Sequence, residues 1–155
     1  MLYTFLKFLH VLGAIILIGN VTVTAVWKVF ADRTHDARVV AFGQRLVTIT
    51  DWTLTVSGIA LIVIGGYGAA LAGRMNPFGA RWLVWGQILF AVSGLIWAGI
   101  LIPAQIRQAR EAKTFAAGGE ISASYRRDSK RWLVWGIVAT VPLVAAVWLM
   151  VFKPV

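Results

Sequence analysis

Residues 132–152 read WLVWGIVATVPLVAAVWLMVF, a stretch without one charged side chain. The hydrocarbon core of a bilayer is about 30 Å thick, and a helix rising about 1.5 Å per residue crosses it in about 20 residues. The stretch therefore predicts a transmembrane helix, with Pro142 expected to kink it. Three more segments read the same way. Residues 82–102 are also uncharged and end at Pro103, which reads as a helix stop. Residues 46–72 carry a single acid, Asp51, and residues 2–27 carry only Lys7 and His10 as ionisable groups besides Tyr3. The expected fold class is an all-α membrane protein: one four-helix transmembrane bundle over residues 1–155, with no room for a separate soluble domain.

Composition agrees. Of the 155 residues, 59% are hydrophobic and 14% charged, against about 25% charged in an ordinary soluble domain. There is no cysteine, which removes disulfides, thiolate catalysis and iron–sulfur ligation. Two histidines and three methionines argue against a metal-transport site built from soft ligands. The first segment is too long and too poor in leading basic residues for a cleaved signal peptide, so it is expected to stay as a helix. Asp36 is a candidate cap for a helix that starts ahead of residue 46 and takes in Val39, Val40 and Phe42.

The formal charge is +9, yet nucleic acid is not the expected partner, because the basic residues flank apolar spans. Lys28, Arg33, Arg38 and Arg45 fall in the first connection. Arg107, Arg110, Lys113, Arg126, Arg127, Lys130 and Arg131 fall in the third. Only Lys7, Arg74, Arg81 and Lys153 fall on the other face. The positive-inside rule then puts both basic connections in the cytoplasm and both termini outside, in the periplasm of a bacterium, with the chain in the inner membrane. The hexapeptide Arg81–Gly86 recurs identically at Arg131–Gly136. Arginine and tryptophan at a bilayer interface explain it as an anchor used twice, and an inverted repeat is the sharper alternative.

Polar residues inside spans are expensive in lipid and mark candidate sites. On the first span His10, Gly13, Asn20, Thr24 and Lys28 share one helical face, preceded by Tyr3 and Lys7. On the second, Gln44, Thr48, Asp51, Thr55 and Gly58 form another stripe. Both stripes are expected to turn inward and meet, since lipid offers no hydrogen bonds. His10 has the chemistry to ligate haem iron, hold a quinone, relay protons, or simply bond a neighbouring helix. Gly13, one turn away, would admit a flat macrocycle. His35 lies among charges in a connection, beyond the reach of a haem at His10. Asp51 is expected to pair with Lys28 or Arg45 in a static lock, with a proton or cation site as the alternative. Gly65, Ala69 and Gly73 form a small-residue ridge for close helix approach, to this chain or to a second copy in a homo-oligomer. Trp85, Trp97 and Trp148 serve as interface anchors or as stacking platforms for a planar ligand.

The run Leu6-Lys7-Phe8-Leu9-His10-Val11-Leu12-Gly13, with Gly19-Asn20, Trp27-Lys28, Ala31-Asp32-Arg33-Thr34, Gln44-Arg45-Leu46-Val47 and Thr50-Asp51-Trp52, resembles a bacterial family of integral membrane proteins known as a domain of unknown function. The resemblance covers essentially the whole chain. More distantly, the Lys-x-x-His opening looks like that of the haem-dependent membrane protoporphyrinogen oxidases and of the copper-resistance D-type membrane proteins. The oxidase resemblance implies a first-span histidine on haem, by position His10. The leading expectation is thus a haem-b-binding membrane redox protein, serving electron transfer or porphyrin- or quinone-linked oxidation. In it His10 is the axial ligand, Lys7 and Arg81 sit near the propionates, and Asn20, Thr24 and Asp51 form a second polar network. The alternatives are a small oligomeric transporter or channel with a polar path including Asp51, and a cofactor-free accessory subunit. No nucleophile–base pair or phosphate loop points to a hydrolase or kinase.

Overall fold

The computed structural model describes residues 1–154. Six α-helices make four long rods: α1 (Leu2–Arg33); α2 (Ala37–Thr50) continued by α3 (Val56–Ala72); α4 (Arg81–Ile96) continued by α5 (Ile102–Phe115); and α6 (Ala123–Phe152). Among the described residues there is no strand. All four rods are long and apolar enough to cross a membrane, so the chain is an all-helical membrane protein of four spans.

The rods are longer than the bilayer needs. At about 1.5 Å per residue, 30–36 residues extend roughly 45–54 Å. The apolar stretches end near Trp27, Leu46, Ile102 and Trp132, but helix continues past each toward the basic end. Lys28, Arg33, Arg38 and Arg45, expected in a connection, are therefore helical, and only residues 34–36 turn. The reason is amphipathicity. In α2, Val40, Gly43, Gln44 and Val47 are buried while Arg38 and Arg45 face out. In α5, Ala104, Gln105, Gln108, Ala112 and Phe115 are buried at the same helical spacing. Asp36 caps α2 as expected: its carboxylate accepts from the backbone N–H groups of Arg38 at 2.8 Å and Val39 at 3.2 Å. Ser122 caps α6 through the N–H of Tyr125 at 3.0 Å.

Pro103 does not stop the third rod. It sits in the first turn of α5, where its missing N–H is tolerated. Immediately before it, Trp97–Leu101 widens to a π-helix, with the N–H of Ile102 bonded to the carbonyl of Trp97. The second rod has a matching π-segment, Asp51–Thr55, closed by the N–H of Val56 on the carbonyl of Asp51. Pro142 lies inside α6, which runs on through it.

The packing divides the molecule in two. At the basic end, α2 and α5 lie together and α6 joins α1 and α5. One apolar cluster there gathers Val40, Ala112, Phe115, Ile121 and Tyr125. A second gathers Val47, Leu101, Ala104, Trp132 and Ala139. At the termini end the chain is two hairpin pairs, α1 on α3 and α4 on α6. Among the described residues no Cα of α3 lies within 8 Å of α4 or α6. Among the described residues one side-chain bond links these pairs near the termini end, from the Tyr67 hydroxyl to Gln87 Oε1 at 2.5 Å.

The α1–α3 crossing is made by glycine. A methyl group at Gly13 would lie 2.8 Å from the carbonyl of Gly58, and one at Gly65 would lie 2.5 Å from the backbone nitrogen of His10. The ridge Gly65, Ala69, Gly73 thus has its partner in the same chain: His10, Leu6 and Tyr3 of α1. The repeated hexapeptide is used in two ways. Its first copy opens α4, with Trp85 exposed, whereas the second lies within α6, with Trp132 in the core.

Candidate functional site

The two polar stripes meet. On α1, Asn20, Thr24 and Lys28 are all buried, together with Gly13, Leu17 and Ala31 of the same face. Opposite them lie Gln44, Asp51 and Thr55, and α5 adds Gln105 and Gln108. Partners satisfy part of this face, while Asn20 Oδ1, Gln44 Nε2, Gln105 Oε1 and Gln108 Oε1 are buried without a protein partner.

Two knots organise the face. The first surrounds Lys28. Its ammonium donates to both Asp32 carboxylate oxygens at 2.7 Å, to the Tyr125 hydroxyl at 2.8 Å and to Ser129 Oγ at 3.0 Å. Ser129 in turn donates to Asp32, and the Tyr125 hydroxyl to Gln44 Oε1 at 3.5 Å. The Tyr125 ring stands 4.7 Å from the ammonium, a cation–π contact. This cycle ties the first span to the fourth. Lys28 is therefore committed to Asp32, one turn along its own helix, and not to Asp51. Arg45 is exposed on α2 and is no partner of Asp51 either. The expected ion pair of Asp51 with Lys28 or Arg45 is not formed; the Lys28–Asp32 pair lies within the first helix, and hydroxyls of the fourth span complete the knot.

The second knot surrounds Asp51. Asn20 Nδ2 donates to Asp51 Oδ1 at 3.1 Å and to Thr55 Oγ1 at 2.9 Å, and Thr55 donates to the same Oδ1 at 3.3 Å. Both bonds fall on Oδ1, and the Gln105 and Trp97 side chains also approach the carboxyl. Among the described residues no cation lies within 4 Å of this carboxyl. Thr24 stands on the same face, but its hydroxyl is taken by the Asn20 carbonyl at 2.7 Å.

Asp51 lines a cavity of about 150 Å³ between the second and third rods. Thr48, Asp51 and Trp52 form one wall; Trp97, Gln105 and Ile106 form the other; Arg110 and Lys113 follow along α5. The two π-segments supply Asp51 and Trp97, so both irregular turns of the molecule flank this one cavity. π-Bulges occur often at functional sites, because the wider turn re-aims side chains. Gln105 Oε1 and Trp97 Nε1 are buried without a protein partner. Trp52 and Ile106 are exposed, so the cavity opens on the molecular surface. Counting about 20 residues from Ala72 toward the basic end reaches Trp52, which puts the cavity near the edge of the hydrocarbon.

Beyond the apolar segments, Arg107 makes a two-point bond to Asp128 at 2.7 and 3.0 Å. The guanidinium hydrogen bond holds the Asp128 carboxyl below its usual range.

The residues expected around a haem are placed differently. His10 is half-buried, and its Nδ1 meets the Ile62 carbonyl at 2.8 Å. Its imidazole covers Gly66. Gly13 admits the backbone of α3 in the place where a macrocycle was expected. Lys7 and Arg81 are both exposed, on α1 and on the first turn of α4, helices that do not approach each other. Within one protomer Arg81 is not brought to Lys7, His10 and Gly13. His35 is exposed in the turn after α1, as expected. Sequence reasoning missed Gln105 and the part played by Trp97 at Asp51. The buried stripe of α5 was the available signal, hidden behind Pro103.

Fold and polar core together define a four-span helical membrane protein whose buried polar groups gather at one end. The chain belongs to the family described as "Predicted integral membrane protein (DUF2269)", whose model matches residues 4–154. No curated protein and no solved structure matches the chain.

Proposed function

We propose that the protein is a small transporter whose binding site is the Asp51 cavity. One observation carries the reading: a buried carboxyl without a counter-ion lines an open cavity between two π-helical turns, in a membrane protein. A carboxyl so placed is costly unless it binds something, a proton or a cation. On the termini side of Asp51 the α1–α3 crossing is closed by glycine contacts at Gly13 and Gly58. In this reading the site faces the basic end, which the charge distribution assigns to the cytoplasm of a bacterial inner membrane. Opening to the other side would run between the hairpin pairs, pivoting on the Lys28–Asp32–Tyr125–Ser129 knot.

The test is flux in proteoliposomes. Proton- or monovalent-cation-dependent flux is expected with the unaltered chain, falling at least tenfold in Asp51→Asn. Equal flux in both, or none in either, removes the reading.

A second reading keeps haem b at His10. It is supported by the bond from Nδ1 to the Ile62 carbonyl, which fixes the proton on Nδ1 and leaves the lone pair on Nε2, as a ligating histidine requires. Haem would then approach from outside the protomer, across lipid or a second copy, with a quinone or membrane redox partner in reach. A Soret band in purified protein that His10→Ala abolishes would establish it; a colourless protein that takes up no added haem would end it.

A further inference from the structure

The chemistry of the cavity wall is specific enough to name a class of ligand. We propose that the Asp51 cavity takes a small organic ammonium ion bearing N–H groups, an inference that rests on reading the cavity as the transporter's binding site. Three features point the same way.

First, among the described residues the carboxyl at the closed end of the cavity has no cation within 4 Å. Asn20 and Thr55 donate to Asp51 and the Gln105 and Trp97 side chains approach it, all four of them neutral. Gln105, 4% exposed, also lines the cavity, and its Oε1 is buried without a partner. Two acceptors, one of them a carboxylate oxygen, call for a cationic donor.

Second, Trp52 and Trp97 form part of the wall. The indole is the aromatic group that attracts cations most strongly, and aromatic cages with a nearby carboxylate are a recurrent answer to ammonium ligands. Third, the volume is right for a small molecule. About 150 Å³ is the size of cavity that holds benzene in an engineered protein core.

Arg110 and Lys113 line the same cavity and oppose a cation. They lie five and eight residues beyond Gln105, about 8 and 12 Å further along the helix axis, and both are exposed. Water and salt screen them there, whereas Asp51, at 7% exposure, acts on a ligand through protein. Their place is the rim, where they would hold the head groups of anionic lipid.

The test is a titration of the full chain in zwitterionic-lipid nanodiscs, read by tryptophan fluorescence and checked by calorimetry. Three probes of like size are compared: benzylammonium, benzyltrimethylammonium and benzoate. Saturable binding is expected for benzylammonium, weaker binding for the quaternary analogue, which offers Gln105 no N–H, and none for benzoate. Asp51→Asn should weaken benzylammonium at least tenfold, and Gln105→Leu should erase the preference over the quaternary ion. Benzoate binding more tightly than benzylammonium, or an unchanged affinity in folded Asp51→Asn, overturns the proposal. If Asp51→Asn does not fold, the benzoate comparison and Gln105→Leu decide. Benzylammonium binding without any flux in liposomes would remove the transport reading and leave the ligand class standing. Asp51-dependent proton flux without benzylammonium binding would do the reverse.

Discussion

The basic half of the molecule and the termini half are built from the same four chains of helix, but they are held by different forces. In the basic half, α2 and α5 are amphipathic, two apolar clusters form, and polar side chains cross-link the rods through Lys28 and Asp51. In the termini half, the helices are apolar on most sides and pack as hairpins, α1 against α3 and α4 against α6, with the Tyr67–Gln87 bond between them. The difference follows from the solvent. In lipid, apolar surface gains nothing by association, so helices pair only where small residues allow close approach. Beyond the hydrocarbon, burying apolar surface is again favourable, and a core can form as it would in a water-soluble bundle. The candidate site lies where the two regimes meet.

The largest expected effect tests the polar half. Asp32→Ala strands the Lys28 ammonium, which is 1% exposed, with only two hydroxyl partners. Leaving a buried charge uncompensated costs about 3–5 kcal/mol, seen as a large drop in thermal midpoint in detergent. A loss below about 1 kcal/mol would mean the basic half is not closed around Lys28.

The next test sets glycine against glycine in the termini half and beside it. Gly65→Ala forces a methyl to within 2.5 Å of His10 backbone in the α1–α3 crossing, and overpacking of this kind costs about 1–3 kcal/mol. At Gly136 the added methyl meets nothing within 4 Å, so Gly136→Ala should be neutral or stabilising by up to about 1 kcal/mol through helix propensity. Equal effects at the two positions would break the picture of hairpins held by close glycine contacts.

The smallest effect concerns the Arg107–Asp128 pair at the solvent edge. Asp128 is depressed in the folded state by its bond to Arg107. Its contribution is therefore present above the unfolded carboxyl value and is lost as pH falls through the lower folded value. Arg107 is 47% exposed along its side chain, so Arg107→Ala should cost under about 1 kcal/mol near neutral pH. The difference from the unaltered chain should vanish in acid and shrink in high salt.

Much of this architecture is written in the chain. Uncharged runs such as residues 132–152 determine the four spans, because nothing but a helix crosses lipid without stranding backbone groups. Helical spacing alone brings Asn20, Thr24 and Lys28 to one face and Gln44, Asp51 and Thr55 to another, and these faces do pack together. Asp36 announces its helix through local cap chemistry. The tertiary structure decided the rest. Lys28 had an acid one turn away in Asp32, legible as an i,i+4 pair, yet only the arrival of Tyr125 and Ser129 from a residue separation of about a hundred buries it there. Pro103 reads as a stop, and only the preceding π-turn and the packing of Gln105 and Phe115 carry the helix past it. The partner of the Gly65 ridge, and the joining of Trp97 and Gln105 to Asp51, depend on which rods come into contact. Periodicity fixes which residues share a face; it carries no information about which distant face meets it, and a site made between two rods exists only once they have packed.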